Sequence, residues 1–171
     1  IAMFSTSMFP DLFSKIILLD SFVVLPPEKA EMMKSRRPKS RMEIASDSID
    51  NAISRFRLMP PQPCAQEYVL EYIAKTSYRE TEQGWILKSD PKISSTYKYN
   101  DLHEMMMNPK TDLEIIYGQL SQVFTPDVLD YMKYAGQLDE TKIHRLEGAM
   151  HHLFLDRPLE FKDLVLKILE N

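Results

Sequence analysis

Glycine is scarce in this sequence, with 4 in 171 residues, roughly a third of the ~7% usual in proteins. A chain that cradles a phosphate or an oxyanion on a flexible loop ordinarily draws on more. Cysteine is scarcer still, with Cys64 alone. That excludes an internal disulfide and a thiolate zinc framework, and it points to an intracellular, cytoplasmic chain. Basic excess is also absent, since 21 Lys+Arg stand against 25 Asp+Glu for a net charge of -4. Nucleic acid is therefore not an expected partner. No stretch approaches the ~18 apolar residues needed to span a bilayer, and the opening lacks the basic n-region and long h-region of a signal peptide. Neither a membrane partner, a metal nor an organic cofactor is expected.

What is present is enough for one packed domain: 44% hydrophobic residues, 8 Phe and 8 Tyr, against 27% charged. Disorder of the whole chain is excluded. The chain is rich in Pro and Met, with 11 of each. It opens on an apolar run (Ile1, Ala2, Met3, Phe4, Met8, Phe9) as if inside a buried helix, and reads as the downstream part of a longer protein.

Residues 1–9 read as a helix ending before Pro10, and Lys15 to Asp20 (KIILLD) as a continuous apolar strand. An apolar run without alternation is a strand covered on both faces, the mark of a parallel sheet between helices. The signature returns at Leu113 to Tyr117, closed by Gly118, and more weakly at Lys142 to Leu146. Thr125 and Pro126 start a helix whose apolar face is Val128, Leu129, Met132 and Ala135, closed by Gly136. Pro158 opens the last helix, striped by Phe161, Leu164, Val165, Ile168 and Leu169. Strand, helix, strand, helix in this order defines an α/β fold with a parallel crossover. Between residues 22 and 110 the pattern changes to helices broken by prolines, near 28–36, 41–56 and 64–77, with a short extended piece at Trp85 to Lys88. So many residues between two strands form a lobe of their own.

The segment Arg145 to Pro158 (RLEGAMHHLFLDRP) runs from a strand through a small-residue turn to paired histidines, then to Asp-Arg-Pro at the start of the last helix. It resembles the C-terminal histidine loop of the α/β-hydrolase family. Phe9 to Asp20 (FPDLFSKIILLD) likewise resembles the segment that follows that family's G-x-S-x-G nucleophile elbow. The resemblance implies the second half of an α/β-hydrolase parallel sheet with an inserted helical cap: core 1–21, cap 22–110, core 111–171.

What the resemblance implies for chemistry rests on two residues. His151 stands seven positions before Pro158, where the family's catalytic base stands, and His152 is left to packing or hydrogen bonding in the loop. A neutral imidazole would take the nucleophile's proton and return it to the leaving group. The family most often places its acid a few residues after Gly118, yet Ser121 occupies that position here. A serine cannot do that electrostatic work, and replacing it is expected to matter little. Some members carry the acid at the end of the preceding strand, which is Asp20 here. Two readings of Asp20 stay open, triad acid or a structural carboxylate capping the first turn of the cap. Asp90, in Ser89-Asp90-Pro91, reads as a turn residue.

Other features take bland readings. The run Lys34, Arg36, Arg37, Lys39 and Arg41 reads as a solvated cap loop. Met32, Met33, Met42, Met105, Met106 and Met107 either pack in the core or line an adaptable pocket. Cys64 reads as buried and inert, and Trp85 as packing the cap or facing substrate. No G-x-S-x-G occurs, so the nucleophile and oxyanion donors are expected upstream of Ile1. The resemblance implies hydrolysis of a small ester or related acyl substrate through a nucleophile-His-acid triad, with this chain inactive alone. The alternative is a catalytically inactive hydrolase-fold binding or scaffold protein.

Overall fold

The computed structural model describes residues 1–35, 43–64, 66–96, 99–100 and 102–170. In chain order its elements begin with α1 (Ala2–Met8), β1 (Lys15–Leu19), α2 (Pro27–Ser35), α3 (Ile49–Arg55), α4 (Glu67–Thr76), β2 (Tyr78–Thr81), β3 (Gly84–Leu87) and α5 (Ile93–Thr96). They continue with α6 (His103–Met107), β4 (Asp112–Gly118), α7 (Pro126–Gly136), β5 (Ile143–Leu146), α8 (Leu153–Asp156) and α9 (Pro158–Glu170). The chain divides into two compact units, one of residues 1–34 and 99–171, the other of residues 35–98. The second unit is narrower than the expected insertion at 22–110, because Val23, Val24, Leu25, Ala30 and Met106 are buried in the core of the first.

The first unit is α/β. Its three strands are all parallel in the order β1-β4-β5. Lys15 pairs with Asp112 and Leu19 with Ile116, while Ile115 pairs with Ile143 and Gly118 with Leu146. Alternate residues of the sheet feed two cores, as the pleat requires. Ile16, Leu18, Leu113 and Ile115 face one cluster with Met3 of α1, Met106 of α6 and Val128, Leu129 and Met132 of α7. Ile116 and Leu146 face the other, with Leu153 of α8, Ile168 of α9, and Ile17, Phe161, Leu164 and Val165 at its margin. Covered on both sides, β4 is buried from Leu113 to Ile116, which explains its lack of alternation. In β1 burial does alternate, and Leu19 is 38% exposed. Among the described residues β1 pairs on one edge only, so it is less enclosed than its sequence implies. Similarly α1 buries Met3 and Thr6 but leaves Phe4 and Met8 exposed, as is Phe9 just after it.

Pro126 at the first helical position starts α7. The residue that ends it in the left-handed region is Gln137 (φ 47°), not Gly136. Glycine stands at 136 for space, since a Cβ there would lie 2.8 Å from Met106 Cε and 2.9 Å from Leu138 Cγ.

At the N-terminal ends of the strands lies a buried acid. Glu114 accepts from Lys142 Nζ at 3.1 Å and lies 2.7 Å from His144 Nε2 and 3.5 Å from Lys15 Nζ. Burial raises the Glu114 carboxyl, but the hydrogen bonds from His144 and Lys142 outweigh it and hold the group below its usual value of 4.5. The Lys142 ammonium likewise holds neighbouring Asp112 below 3.8.

The second unit is mixed. Helices α3 and α4 accompany an antiparallel hairpin of β2 and β3, in which Tyr78 pairs with Leu87 and Thr81 with Gly84. The extended piece at 85–88 thus belongs to a strand whose partner the sequence reading leaves out. Ser46 exchanges two backbone hydrogen bonds with Trp85, at 2.9 and 2.7 Å. That bridge takes Ser46 out of the helix expected over 41–56, which instead starts after the N-cap Ser48, whose hydroxyl accepts from Asn51 N–H at 3.2 Å. Gly84 adopts φ 110°, and a Cβ there would lie 2.4 Å from the Ser46 carbonyl oxygen. Asp90 accepts the N–H of Lys92 at 2.8 Å within its own turn. Cys64 is half-buried rather than buried, with its thiol 3.6 Å from the Gln66 carbonyl.

Of the methionines, Met106 is fully buried, Met33 and Met105 are half-buried against the core of the first unit, and Met32 and Met107 are exposed. Lys34 is exposed and pairs with Glu31 at 2.9 Å. Arg36, Arg37, Lys39, Arg41 and Met42 lie outside the described residues.

Candidate active site

Three parallel strands end on one edge, and the loops that leave them there converge. That edge is where open α/β sheets build their sites. Asp20 is the residue immediately after β1. Its N–H still bonds the Ile116 carbonyl at 2.8 Å, so the strand pairing carries one residue beyond the strand. Its backbone then turns into the left-handed region at φ 44°, a conformation that Asp tolerates better than most residues. The side chain is completely buried.

A buried carboxylate needs partners, and Asp20 has three. Oδ1 accepts the N–H of Gly118, the last residue of β4, at 2.9 Å. Oδ2 accepts from Ser121 Oγ at 2.6 Å and lies 2.8 Å from His151 Nδ1. The His151 side chain is 25% exposed, so one edge of its ring faces outward while Nδ1 faces the acid.

The histidine loop is held by its neighbours. Gly148 turns the chain after β5 at φ 67° and donates its N–H to Gln119 Oε1 at 2.9 Å. The Ala149 carbonyl accepts from Leu120 N–H at 2.9 Å. Asp156 Oδ2 accepts the N–H of Met150, next to His151, at 2.7 Å. Asp156 belongs to α8, a short helix between the histidines and Pro158. His152 stands at the N-cap position of that helix without a side-chain cap hydrogen bond and sets its ring edge-on to His151 at 5.0 Å between centroids. The pairing of Asp20 with His151 joins residues 131 positions apart. Ser121 and Asp156 are the members of the site that sequence reasoning passes over as contributors. The signal for Asp156 was its place in the Asp-Arg-Pro helix start; for Ser121 it was its place at the resembling family's usual acid position, although the contact with Asp20 spans 101 positions.

Among the described residues, no group of three or more His, Cys, Asp and Glu could hold a metal ion. Nor is any helix of the described residues long and apolar enough to cross a membrane.

No protein-family model matches the sequence, and no curated protein matches it significantly. Solved structures do. The chain is similar to E-2-(acetamidomethylene)succinate hydrolase, with a TM-score of 0.75 at 13% identity, covering 99% of this chain and 62% of that one. It is similar to an esterase from Mycobacterium tuberculosis (TM-score 0.71, 18% identity, 99% and 57% covered). A third is an α/β hydrolase from Novosphingobium aromaticivorans (TM-score 0.63, 16% identity, 99% and 61% covered). The chain therefore has the α/β-hydrolase fold. It spans about 60% of the length of these structures.

Proposed function

We propose that this chain carries the base and the acid of a hydrolase acting on a small ester or related acyl substrate. The observation behind the proposal is the contact of 2.8 Å between His151 Nδ1 and the buried Asp20 carboxylate at the C-terminal edge of the sheet. In this reading His151 Nε2 takes the proton of an attacking hydroxyl as its oxygen bonds to the substrate carbonyl carbon. The imidazolium then gives that proton to the departing alkoxide, leaving an acyl-enzyme. Water repeats the sequence with His151 as base, and the acid is released. Asp20 orients the imidazole and stabilises its charged form.

The sequence has no G-x-S-x-G, so the nucleophile and the oxyanion donors come from outside these residues, and the chain alone is inactive. The oxyanion donors are usually the largest catalytic contribution. The three strands are then the second half of a larger sheet, residues 35–98 correspond to the cap, and the single cysteine fits a cytoplasmic location.

The test is a fluorophosphonate probe on the full-length protein. We expect stoichiometric labelling of one serine and loss of labelling in the His151→Ala variant. A folded protein that takes no label overturns the serine-hydrolase reading and favours a binding role or another nucleophile.

A further inference from the structure

Ser121 has an inventory of hydrogen bonds that admits one arrangement of protons. Its Oγ accepts the N–H groups of Val123 at 3.1 Å and Phe124 at 3.0 Å, and it lies 2.6 Å from Asp20 Oδ2. A hydroxyl has two acceptor lone pairs and one proton. Both lone pairs are taken by backbone donors that cannot be turned round, so the proton points at Asp20.

We infer that Ser121 is a positioning residue that holds Asp20 Oδ2 as the acceptor facing His151 Nδ1. An oxygen that accepts the Ser121 proton carries none of its own on that side. His151 Nδ1, 2.8 Å from the same oxygen, meets its other lone pair, so with Asp20 as the carboxylate Nδ1 bears the hydrogen. The Gly118 N–H donates to Oδ1, so both oxygens of Asp20 act as acceptors. With Nδ1 protonated, the lone pair of neutral His151 is on Nε2, where a base is needed. Ser121 thus reads the main chain at 123 and 124 and passes its orientation, through Asp20, to the tautomer of His151. Its role contrasts with the small effect that the sequence reading assigns to its replacement.

The inference rests on the catalytic reading of the pair, and the experiment separates the two. In the full-length protein, Ser121→Ala should lower kcat about tenfold with KM changed less than about twofold, the loss of one charge-assisted hydrogen bond. Ser121→Thr, which keeps the hydroxyl, should restore kcat to within about threefold. Nitrogen-15 NMR of the His151 ring, at a pH where it is neutral, should show Nδ1–H in the parent and Ser121→Thr proteins and a mixture of tautomers in Ser121→Ala. If Ser121→Ala fails to fold, Ser121→Cys, a much weaker donor, is measured in its place. An unchanged tautomer overturns the inference, whether kcat falls or not. If the tautomer shifts as expected but Asp20→Asn leaves turnover intact, the positioning role stands and the catalytic reading fails.

Discussion

Gly118 and Met150 meet main chain to main chain: a Cβ placed on Gly118 would stand 2.4 Å from the Met150 carbonyl oxygen and 2.5 Å from that of Ala149. The end of β4 and the histidine loop are therefore spaced by the absence of a side chain. Neither contact involves a flexible tip that could swing aside. Gly118→Ala should cost about 1–3 kcal/mol of stability, as overpacking does, and move His151 away from Asp20. Chemical denaturation measures the first effect. Loss of the downfield Nδ1 proton resonance of His151 measures the second.

Asp20→Asn keeps the outline of the side chain and accepts left-handed backbone, but its NH2 group would face the Ser121 and His151 donors, which should cost about 1–3 kcal/mol of stability. In the full-length enzyme it should lower kcat by about 10³–10⁴, the magnitude seen when a triad acid is neutralised in serine proteases. A lowered but still cooperative melt, beside a collapsed kcat, is the expected pair of results. Full activity would assign Asp20 a purely structural role.

Asp156→Ala removes the acceptor of the Met150 N–H. A fully buried donor left without a partner costs about 1–3 kcal/mol; the Met150 N–H is partly buried, so less is lost, and the histidine loop should loosen. We expect a lower kcat with little change in KM, and faster hydrogen exchange at the Met150 amide. Asp156→Asn keeps an acceptor oxygen and should fall between the parent and the alanine variant.

The acid at the other end of the sheet makes a prediction about pH. Glu114 and Asp112 are held below their ordinary values of 4.5 and 3.8. Folding therefore favours their ionised forms, and their contribution is fully present above those values. It is lost as pH falls through the lowered ones. Glu114→Gln should destabilise the full-length protein by about 1–2 kcal/mol at pH 7. The gap from the parent should close as the buffer is taken below about pH 4. Urea titrations of both proteins across that range check the sign; a gap that widens in acid would contradict it.

Much of the first unit was legible in the chain. β4 declared itself by an apolar run with no alternation, α7 by Pro126 at its start, and α9 by Pro158 and its stripe. These signals are local, and each reports the burial of its own segment. The β2–β3 hairpin was not legible because its loop, Glu82-Gln83, lacks the Asn-Gly or Asp-Gly pair that marks a tight turn, and Arg79 and Glu80 make β2 polar. The role of Gly136 was misread for a related reason. Sequence shows that a helix ends beside a glycine, not that Met106 needs the space. At the site, Asp20 and His151 were singled out by position in a resembling pattern. The distances among Asp20, Ser121 and His151 depend on how β1, β4 and β5 lie side by side, which no local signal carries.

The left-handed backbone at Asp20 has a consequence for how this chain can change over generations. At φ 44° the position accepts few residues other than glycine, asparagine and aspartate without strain. Aspartate and asparagine codons differ by a single base. On the catalytic reading, a change that the backbone accepts without strain is thus one that damages turnover. A lineage that no longer needed the reaction could shed it in one step and keep the folded domain for another use.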